Sequence, residues 1–170
     1  MHDGSASAAP GAIYDASFAR NIGILTPDEQ EALRRATVLV VGAGGIGSNT
    51  ILTLARMGVG GFHIVDPDTF ELANINRQQG ATVSSQGRLK VDVMREAILD
   101  INPEARVTTW ADYFTPALAD AVFAGADIAV DAIDFYRIDD HVAFHREARQ
   151  RGVFVLMGSP VGFSATLQVF

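Results

Sequence analysis

The sequence contains no cysteine among its 170 residues. This absence excludes a disulfide framework, a thiolate metal site and a covalent thioester carried by these residues. The chain also has no uninterrupted apolar run of the roughly 18 to 20 residues that a membrane-spanning helix needs. Its N-terminus lacks the basic and then apolar layout of a secretory signal. We therefore expect no membrane association and a cytoplasmic location.

Positive charge is scarce as well. The 20 acidic residues outnumber the 13 basic ones, which gives a formal net charge of -7. Non-specific binding to nucleic acid or to an anionic membrane is disfavoured, because both require an excess of Lys and Arg on one face. Lysine is rarer still, since Lys90 is the only lysine of the chain.

The composition is otherwise that of a folded protein. At 48% hydrophobic and 19% charged residues, the chain can bury the core of about one domain. We expect a disordered leader over residues 1–12, an N-terminal helical segment over 13–36 and a nucleotide-binding domain over 37–170. Residues 162–170 have the pattern of an apolar strand with no turn or cap after it, so we expect this domain to continue beyond Phe170.

From residue 37 onward, short apolar segments alternate with segments of helical periodicity. The predicted strands are 37–42, 61–66, 105–110, 127–134 and 153–160, and the predicted helices are 48–58, 86–102, 115–125 and 137–152. This alternation indicates the α/β class. The fold is predicted to be a Rossmann-like doubly wound sheet, mostly parallel, with helices on both faces.

A glycine-rich turn, VVGAGGIGSN, follows the first predicted strand and opens a predicted helix. Its glycines are Gly42, Gly44, Gly45 and Gly47, and Asp66 ends the next strand 19 residues after Gly47. Glycines let the backbone approach a phosphate or a ribose, the helix N-terminus supplies free N–H donors, and the carboxylate accepts from ribose hydroxyls. The turn therefore predicts a nucleotide that contains adenosine, but it fits a redox dinucleotide and ATP equally.

Polar residues at the same edge of the sheet favour ATP. The segment DPDTFELANINRQ, which begins at Asp66, continues through the candidate ligand-binding residues Asp68, Asn74, Arg77 and Gln78. Lys90 is predicted one turn into the next helix, and Asp134 follows the fourth strand. Cations for phosphate and carboxylates for ribose and metal are typical of phosphoryl or nucleotidyl transfer rather than hydride transfer.

These motifs carry a resemblance to a known family. The segments VLVVGAGGIGSN, ARMGVGGFHIVDPDTFELANINRQ, GRLKVDVMREAILDINPEARV and DIAVDAID resemble the adenylyltransferase domain shared by ThiF, MoeB, the tRNA threonylcarbamoyladenosine dehydratases and the activating enzymes of ubiquitin-like proteins. The resemblance covers about residues 20–170. It implies ATP-dependent adenylation of a carboxylate, which gives an acyl-adenylate and pyrophosphate.

The resemblance also implies a role for each of five side chains. The residue matching Asp66 holds the ribose, those matching Arg77 and Lys90 bind the phosphates, and the one matching Asp134 holds magnesium. Arg20 matches an arginine that one subunit of a dimer lends to the phosphates of its neighbour. The expected cofactors are therefore ATP and magnesium, and the expected assembly is a homodimer or a heterodimer.

Several questions stay open at this point. The acyl substrate is the C-terminal glycine of a ubiquitin-like sulfur carrier, a peptide C-terminus or a carboxylate on modified tRNA. Many relatives have Asn directly after the magnesium aspartate, where this chain has Phe135. Two alternatives remain: an NAD(P)-dependent oxidoreductase, and a non-catalytic nucleotide-binding subunit that lends Arg20 to an active partner.

Other ring-bearing side chains are interpreted as structural. His63, His141 and His145 have no metal-like grouping along the sequence, so we interpret them as structural or surface residues. Trp110, Phe114 and Phe123 are interpreted as core or packing aromatics rather than a platform that stacks on a base.

Overall fold

The computed structural model describes residues 11–170. Its helices are α1 (Ala12–Phe18), α2 (Pro27–Arg35), α3 (Gly45–Met57), α4 (Lys90–Ile101), α5 (Ala119–Val122) and α6 (Ile138–Arg151). Its strands are β1 (Thr37–Val41), β2 (Gly61–Val65), β3 (Arg106–Trp110), β4 (Ile128–Asp131), β5 (Phe154–Val161) and β6 (Ser164–Val169). Residues 1–10 of the predicted leader lie outside the described residues. Ala12, which was predicted as the end of the leader, is the first residue of α1.

The six strands form one sheet in the order β3-β2-β1-β4-β5-β6. The first five strands are parallel, and β6 pairs antiparallel with β5. The chain builds outward from β1 to β2 and β3, and then crosses to β4 on the other side of β1. This reversal leaves a crevice beyond the carboxyl ends of β1 and β4, where open α/β sheets bind their ligands. The predicted Rossmann-like fold class is confirmed.

Two apolar clusters cover the two faces of the sheet. One contains Ile51 of α3 and Met94 and Ile98 of α4, all fully buried. On the other face, Phe144 of α6 lies with its ring centroid 5.1 Å from that of Phe114 and 5.4 Å from that of Phe123. Trp110 is partly buried and packs against the same cluster, so the interpretation of Trp110, Phe114 and Phe123 as packing aromatics is confirmed.

The N-terminal helices pack at the end of α3 that lies away from the crevice. Helix α2 begins with a capping box, in which Thr26 Oγ1 accepts from the Glu29 N–H and the Glu29 carboxylate accepts from the Thr26 N–H. The Tyr14 hydroxyl donates to the Gly58 carbonyl just after α3, at 2.5 Å. Asn21 donates to the carbonyl of Met57, the last residue of α3, at 3.1 Å.

The prediction for the helix over 86–102 was wrong at its start. Residues 86–89 bridge to residues 69–70, with the Phe70 N–H donating to Arg88 and the Gly87 N–H donating to Phe70. Helix α4 therefore begins at Lys90, which is its first residue rather than one turn inside it. The helix predicted over 115–125 is also shorter, since it consists of a 3-10 turn, Pro116–Leu118, followed by α5.

None of the helices in residues 11–170 combines the length and the apolar character that crossing a bilayer requires.

Candidate active site

A cavity of about 690 Å³ opens beyond the carboxyl ends of β1, β2, β3 and β4. Its lining contains nine of the predicted site residues: Gly42, Gly44, Gly45, Asp66, Asp68, Arg77, Gln78, Lys90 and Asp134. Cavities that bind small ligands commonly have a volume of this size. The structure thus brings together side chains that lie up to 92 residues apart along the chain.

Two of the four glycines in the turn are required by the fold itself. Gly42 has φ +97°, and a Cβ there would lie 2.1 Å from the Ala132 carbonyl oxygen. A Cβ on Gly47 would lie 1.8 Å from the Gly42 carbonyl oxygen. These two glycines let β1, the turn and α3 pack closely, and Gly47 does not line the cavity.

Gly44 and Gly45 behave differently. The nearest atom to a Cβ on Gly44 would be Gln78 Nε2 at 3.8 Å, and for Gly45 it would be Arg77 Cγ at 3.7 Å. Both distances are ordinary van der Waals contacts, so internal packing does not require glycine at either position. Both residues line the cavity at the N-terminus of α3, where a missing Cβ leaves room for a ligand against free N–H groups.

Asp66 is buried beside the glycine turn. Its carboxylate accepts from the Ala43 N–H at 2.6 Å and from the Asp68 N–H at 2.9 Å. Burial raises the pKa of Asp66, while these two N–H groups and the charge of Lys90 act in the opposite direction. The carboxylate is therefore held in a fixed orientation at the crevice.

Lys90 is buried at the first position of α4, with 6% of its surface exposed. Its Nζ lies 3.0 Å from Asp68 Oδ2, and its N–H donates to the Asp68 carbonyl. Asp68 itself is more than half exposed, so water shares its charge. The ion pair keeps the only lysine of the chain at the wall of the cavity.

The loop that carries Arg77 and Gln78 is fastened to the first turn of α3. Asn49 donates to the carbonyls of both Gly45 and Arg77, at 2.6 and 3.2 Å. Ser48 donates to Gly44 and accepts from the N–H of residue 79. Arg77 is exposed, and its Nη1 donates to the Ala73 carbonyl and to Asn76 Oδ1.

Gln78 is buried at the wall beside Gly44, with 7% of its surface exposed. Its Oε1 has no hydrogen-bond partner within residues 11–170. A buried amide without a partner is costly, which makes Gln78 a residue whose hydrogen bonds a ligand could complete.

Asp134 lines the same cavity from the turn between β4 and α6. Its Oδ1 accepts from the Tyr136 N–H at 3.1 Å, and no hydrogen bond to Oδ2 occurs within the described part of the chain. The same range contains no group of three or more His, Cys, Asp or Glu side chains that could hold a metal. One free carboxylate oxygen nevertheless suits magnesium, which is usually bound by one or two carboxylates together with phosphates and water.

Besides Gly47, two further predicted site residues lie outside the cavity. Asn74 Oδ1 accepts from the Glu71 N–H at 2.9 Å and thus caps its own loop, as Asn often does in turns. Arg20 lies in the short 3-10 turn Ala19–Asn21, next to Met57 at the far end of α3. The 13 residues of α3 place the two ends of this helix about 20 Å apart. Within a single chain, Arg20 is therefore remote from the glycine turn.

Sequence reasoning missed several residues of the cavity wall. Arg137 stacks on Tyr113 with its guanidinium carbon 3.8 Å from the ring centroid, and it also pairs with Asp140. All three residues line the cavity. A signal was available, because Tyr113 closely follows β3 and Arg137 directly precedes α6, so both lie at the carboxyl edge of the sheet.

The histidine interpretation overlooked a shared partner. Asp131 is the last residue of β4 and is 1% exposed. Its Oδ2 lies 2.7 Å from His141 Nδ1 and 2.8 Å from His145 Nε2. The i, i+4 spacing of the two histidines was the available signal, because it places both rings on one face of α6.

The sheet order, the glycine turn and the cavity at the switch point define an α/β protein of the Rossmann-like class. More specifically, the chain belongs to the ThiF family, whose family model matches residues 18–170. The resemblance seen in the sequence is thereby confirmed.

Relatives with curated names share about two fifths of their aligned residues with this chain. The tRNA threonylcarbamoyladenosine dehydratase of Bacillus subtilis (strain 168) is 40% identical over 118 residues, which are 69% of this chain and 46% of that protein. The probable adenylyltransferase/sulfurtransferase MoeZ of Mycobacterium tuberculosis (strain CDC 1551 / Oshkosh) is 39% identical over 121 residues, which are 70% of this chain and 31% of that protein. The chain thus matches less than half the length of these two relatives.

A solved structure has the same fold with a nucleotide bound. The tRNA N6-threonylcarbamoyladenosine dehydratase of E. coli, TcdA, in complex with ATP superimposes with a TM-score of 0.80 at 30% identity. The match covers 86% of this chain and 62% of the other. The same enzyme in complex with AMP gives a TM-score of 0.82 at 29% identity, over 91% of this chain and 64% of the other.

Proposed function

We propose that this chain is the adenylating part of an ATP-dependent adenylyltransferase that activates a carboxylate. The single observation that carries the proposal is the convergence of Lys90, Arg77, Asp66 and Asp134 on one cavity, next to the two glycines that leave space at the N-terminus of α3. Membership of the ThiF family and the ATP and AMP complexes of the E. coli relative support the same activity.

The proposed reaction joins two anions. An oxygen of the substrate carboxylate forms a bond to the α-phosphorus of ATP, the bond from that phosphorus to the bridging oxygen breaks, and pyrophosphate leaves with the electron pair. Lys90 and Arg77 reduce the repulsion between the reactants and stabilise the charge on the leaving group. Lys90 is nearly buried, so less water screens its charge than at the surface.

The other side chains position the nucleotide. Asp66, held by two backbone N–H groups, accepts from the ribose hydroxyls, and Gln78 offers its unpaired amide to the ligand beside Gly44. Asp134 would hold magnesium through its free Oδ2, and magnesium would supply further positive charge to the phosphates. Asp68 keeps the Lys90 ammonium at the wall until the phosphates arrive.

We infer that the acyl substrate is a carboxylate presented by a larger molecule. The names of the relatives point to a carboxylate on modified tRNA and to carriers in sulfur transfer, and a peptide C-terminus is the third candidate. We further propose a homodimer or heterodimer in which Arg20 acts across the interface. Its position, remote from the cavity of its own chain, supports action in a neighbouring chain. A cytoplasmic location stays a prediction.

Thermal unfolding with added nucleotide tests this function. ATP with magnesium at about 100 times its Kd should stabilise the chain by about 2.7 kcal/mol, which corresponds to a rise in Tm of roughly 5 to 10 °C. Lys90→Met should remove most of this rise, because it deletes the ammonium but keeps the apolar stem in place. Arg95→Ala, which deletes an exposed charge on the same helix, should retain it.

The same measurement separates the activity from its main alternative. Equal protection by NAD, or full protection of Lys90→Met by ATP, would contradict the proposal. Pyrophosphate exchange into ATP, measured with each of the three candidate acyl substrates, then identifies the carboxylate.

A further inference from the structure

A buried carboxylate and two histidines lie directly behind the turn that carries Asp134, and the mechanism above leaves them unused. The carboxylate is that of Asp131, which the fold buries at the end of β4. Its Oδ1 accepts from the Ile133 N–H at 3.1 Å. Its Oδ2 contacts the rings of His141 and His145, which lie one turn apart on α6.

His141 extends this network to Asp134. Its Nε2 lies 3.2 Å from the carbonyl oxygen of Asp134, which also accepts from the Arg137 N–H at 2.9 Å. The contact needs a proton on Nε2, since a carbonyl oxygen only accepts, and the bond to the Asp131 carboxylate needs a second proton, on Nδ1 or on Oδ2. His145 makes a bond of similar length to the same oxygen of Asp131, yet it makes no hydrogen bond to the Asp134 turn in the described structure.

The turn has little other support. Phe135 and Tyr136 follow Asp134 and are 72% and 87% exposed, and their rings pack on each other. Within residues 11–170, the side-chain hydrogen bonds that reach positions 132–136 from outside the turn come from Asp131 and His141. Exposed segments with few buried contacts open easily, so these bonds determine how well the turn is ordered.

We propose that His141 is a positioning residue for the magnesium site. By joining the buried Asp131 to the carbonyl of Asp134, it holds the turn in the conformation that presents the Asp134 carboxylate to the metal. Magnesium demands near-ideal octahedral geometry, and partners that orient a ligand strengthen metal binding. The inference rests on the proposed function, in which Asp134 binds magnesium together with ATP.

Four variants separate this role from general support of the fold. His141→Phe keeps a ring and loses both hydrogen bonds. His141→Asn places an amide nitrogen near the position of Nδ1 and keeps the bond to Asp131, whereas His141→Gln places one near Nε2 and keeps the bond to Asp134. His145→Phe is the matched control, because it removes a bond to the same oxygen of Asp131 without touching the turn.

The measurement is the rise in Tm caused by ATP at a fixed concentration, recorded over a series of magnesium concentrations. His141→Phe and His141→Asn should raise the magnesium concentration at half-maximal protection by roughly three- to tenfold, the effect of losing one hydrogen bond. His141→Gln and His145→Phe should keep the wild-type midpoint. The Tm without ligand reports separately on any loss of stability.

Each outcome decides the matter. A wild-type midpoint in His141→Asn, or an equal increase in His145→Phe, would overturn the positioning role while the proposed function stands. If ATP gives the wild-type chain no magnesium-dependent protection, the proposed function and this inference are both wrong. His141→Asn keeps the bond to the buried carboxylate and therefore tests the role even if His141→Phe does not fold.

Discussion

At the scale of single residues, the glycines of the turn divide into two pairs by what a side chain at each would contact. A Cβ added to Gly42 or Gly47 would lie closer than 2.5 Å to a backbone atom, whereas one added to Gly44 or Gly45 would have no neighbour closer than van der Waals distance. The first pair is explained by folding, and the second by a ligand. Sequence alone shows four equivalent glycines, because the distinction depends on which backbone segments approach each other in space.

This division predicts opposite outcomes for two alanine substitutions. Gly47→Ala should lower the free energy of unfolding by about 3 kcal/mol, because the new methyl overlaps the Gly42 carbonyl. Gly44→Ala should change it by no more than about 1 kcal/mol, yet it should weaken ATP binding at least about tenfold by blocking the approach of the phosphates. Chemical denaturation and calorimetric titration with ATP measure the two effects. Normal ATP affinity in folded Gly44→Ala would contradict the assignment.

The buried carboxylate of Asp66 predicts a pH dependence of stability. Burial raises its pKa above the ordinary value of 3.8. At pH values between 3.8 and the raised pKa, the folded chain therefore keeps a proton on Asp66 that the unfolded chain has lost. Stability from this group is therefore present at low pH and lost as pH rises through the raised pKa. Denaturation from about pH 4 to about pH 7 should show the wild-type chain losing stability relative to Asp66→Asn as pH increases.

The same titration should affect ligand binding in the reverse direction. Ribose hydroxyls donate to the ionised form of Asp66, so adenosine should bind the wild-type chain more weakly as pH falls. Adenosine is the suitable probe because it carries no phosphate that titrates. The affinity of Asp66→Asn for adenosine should not fall in this way as pH decreases, because this variant has no carboxylate at position 66 to protonate. If the wild-type chain instead gains stability relative to Asp66→Asn as pH increases, the pKa of Asp66 is lowered and the prediction is wrong.

At the scale of secondary structure elements, the strands were predictable because their signals are local. Each predicted strand overlaps an observed one, since short β-branched segments between glycines and polar residues are distinctive by themselves. The start of α4 was not predictable in this way. Residues 86–89 have helical spacing, but hydrogen bonds to Phe70, far away in sequence, keep them out of the helix.

The site was predictable to a similar extent. The sheet topology brings Arg77, Lys90 and Asp134 to one edge, and the rule for the carboxyl ends of parallel strands predicts this. The link from Asp131 to α6 was not predictable, because it depends on how that helix packs over β4. The sequence predicted Asn74 among the cavity residues, but its side chain bonds within its own loop. The local hydrogen bond could not be distinguished from ligand binding by residue type alone.

The capping box of α2 gives a prediction for one element. Thr26→Ala removes the acceptor for the Glu29 N–H and should lower the free energy of unfolding by about 1 kcal/mol, or the Tm by roughly 2 to 4 °C. The rise in Tm with ATP should stay unchanged, because α2 packs at the end of α3 away from the cavity. Thr115→Ala is the control: it precedes the 3-10 turn Pro116–Leu118, and its side chain makes no capping bond. An equal loss in both variants would contradict the energetic role of the box.

At the scale of the whole molecule, the fold separates two functions in space. The carboxyl edge of the sheet gathers the polar residues of the cavity, while α1 and α2 cover the other end of α3 and carry Arg20 there. In a single chain Arg20 cannot contact a phosphate at Gly44 across about 20 Å. Its proposed role therefore requires a second chain, in which the N-terminal helices of one subunit approach the cavity of the other.

Complementation between inactive variants tests this arrangement. Arg20→Ala and Lys90→Met should each abolish adenylate formation, measured as pyrophosphate exchange with an active acyl substrate. In an equal mixture, random pairing makes about half of the dimers mixed. Each mixed dimer has one of its two sites with both Arg20 and Lys90 intact. About one quarter of all sites are then intact, so activity should recover to about one quarter of the wild-type value. A mixture of Lys90→Met with Asp134→Asn should stay inactive, because both residues belong to the same chain's cavity. Full activity of Arg20→Ala by itself, or no recovery in the first mixture, would exclude the exchange of Arg20 between subunits.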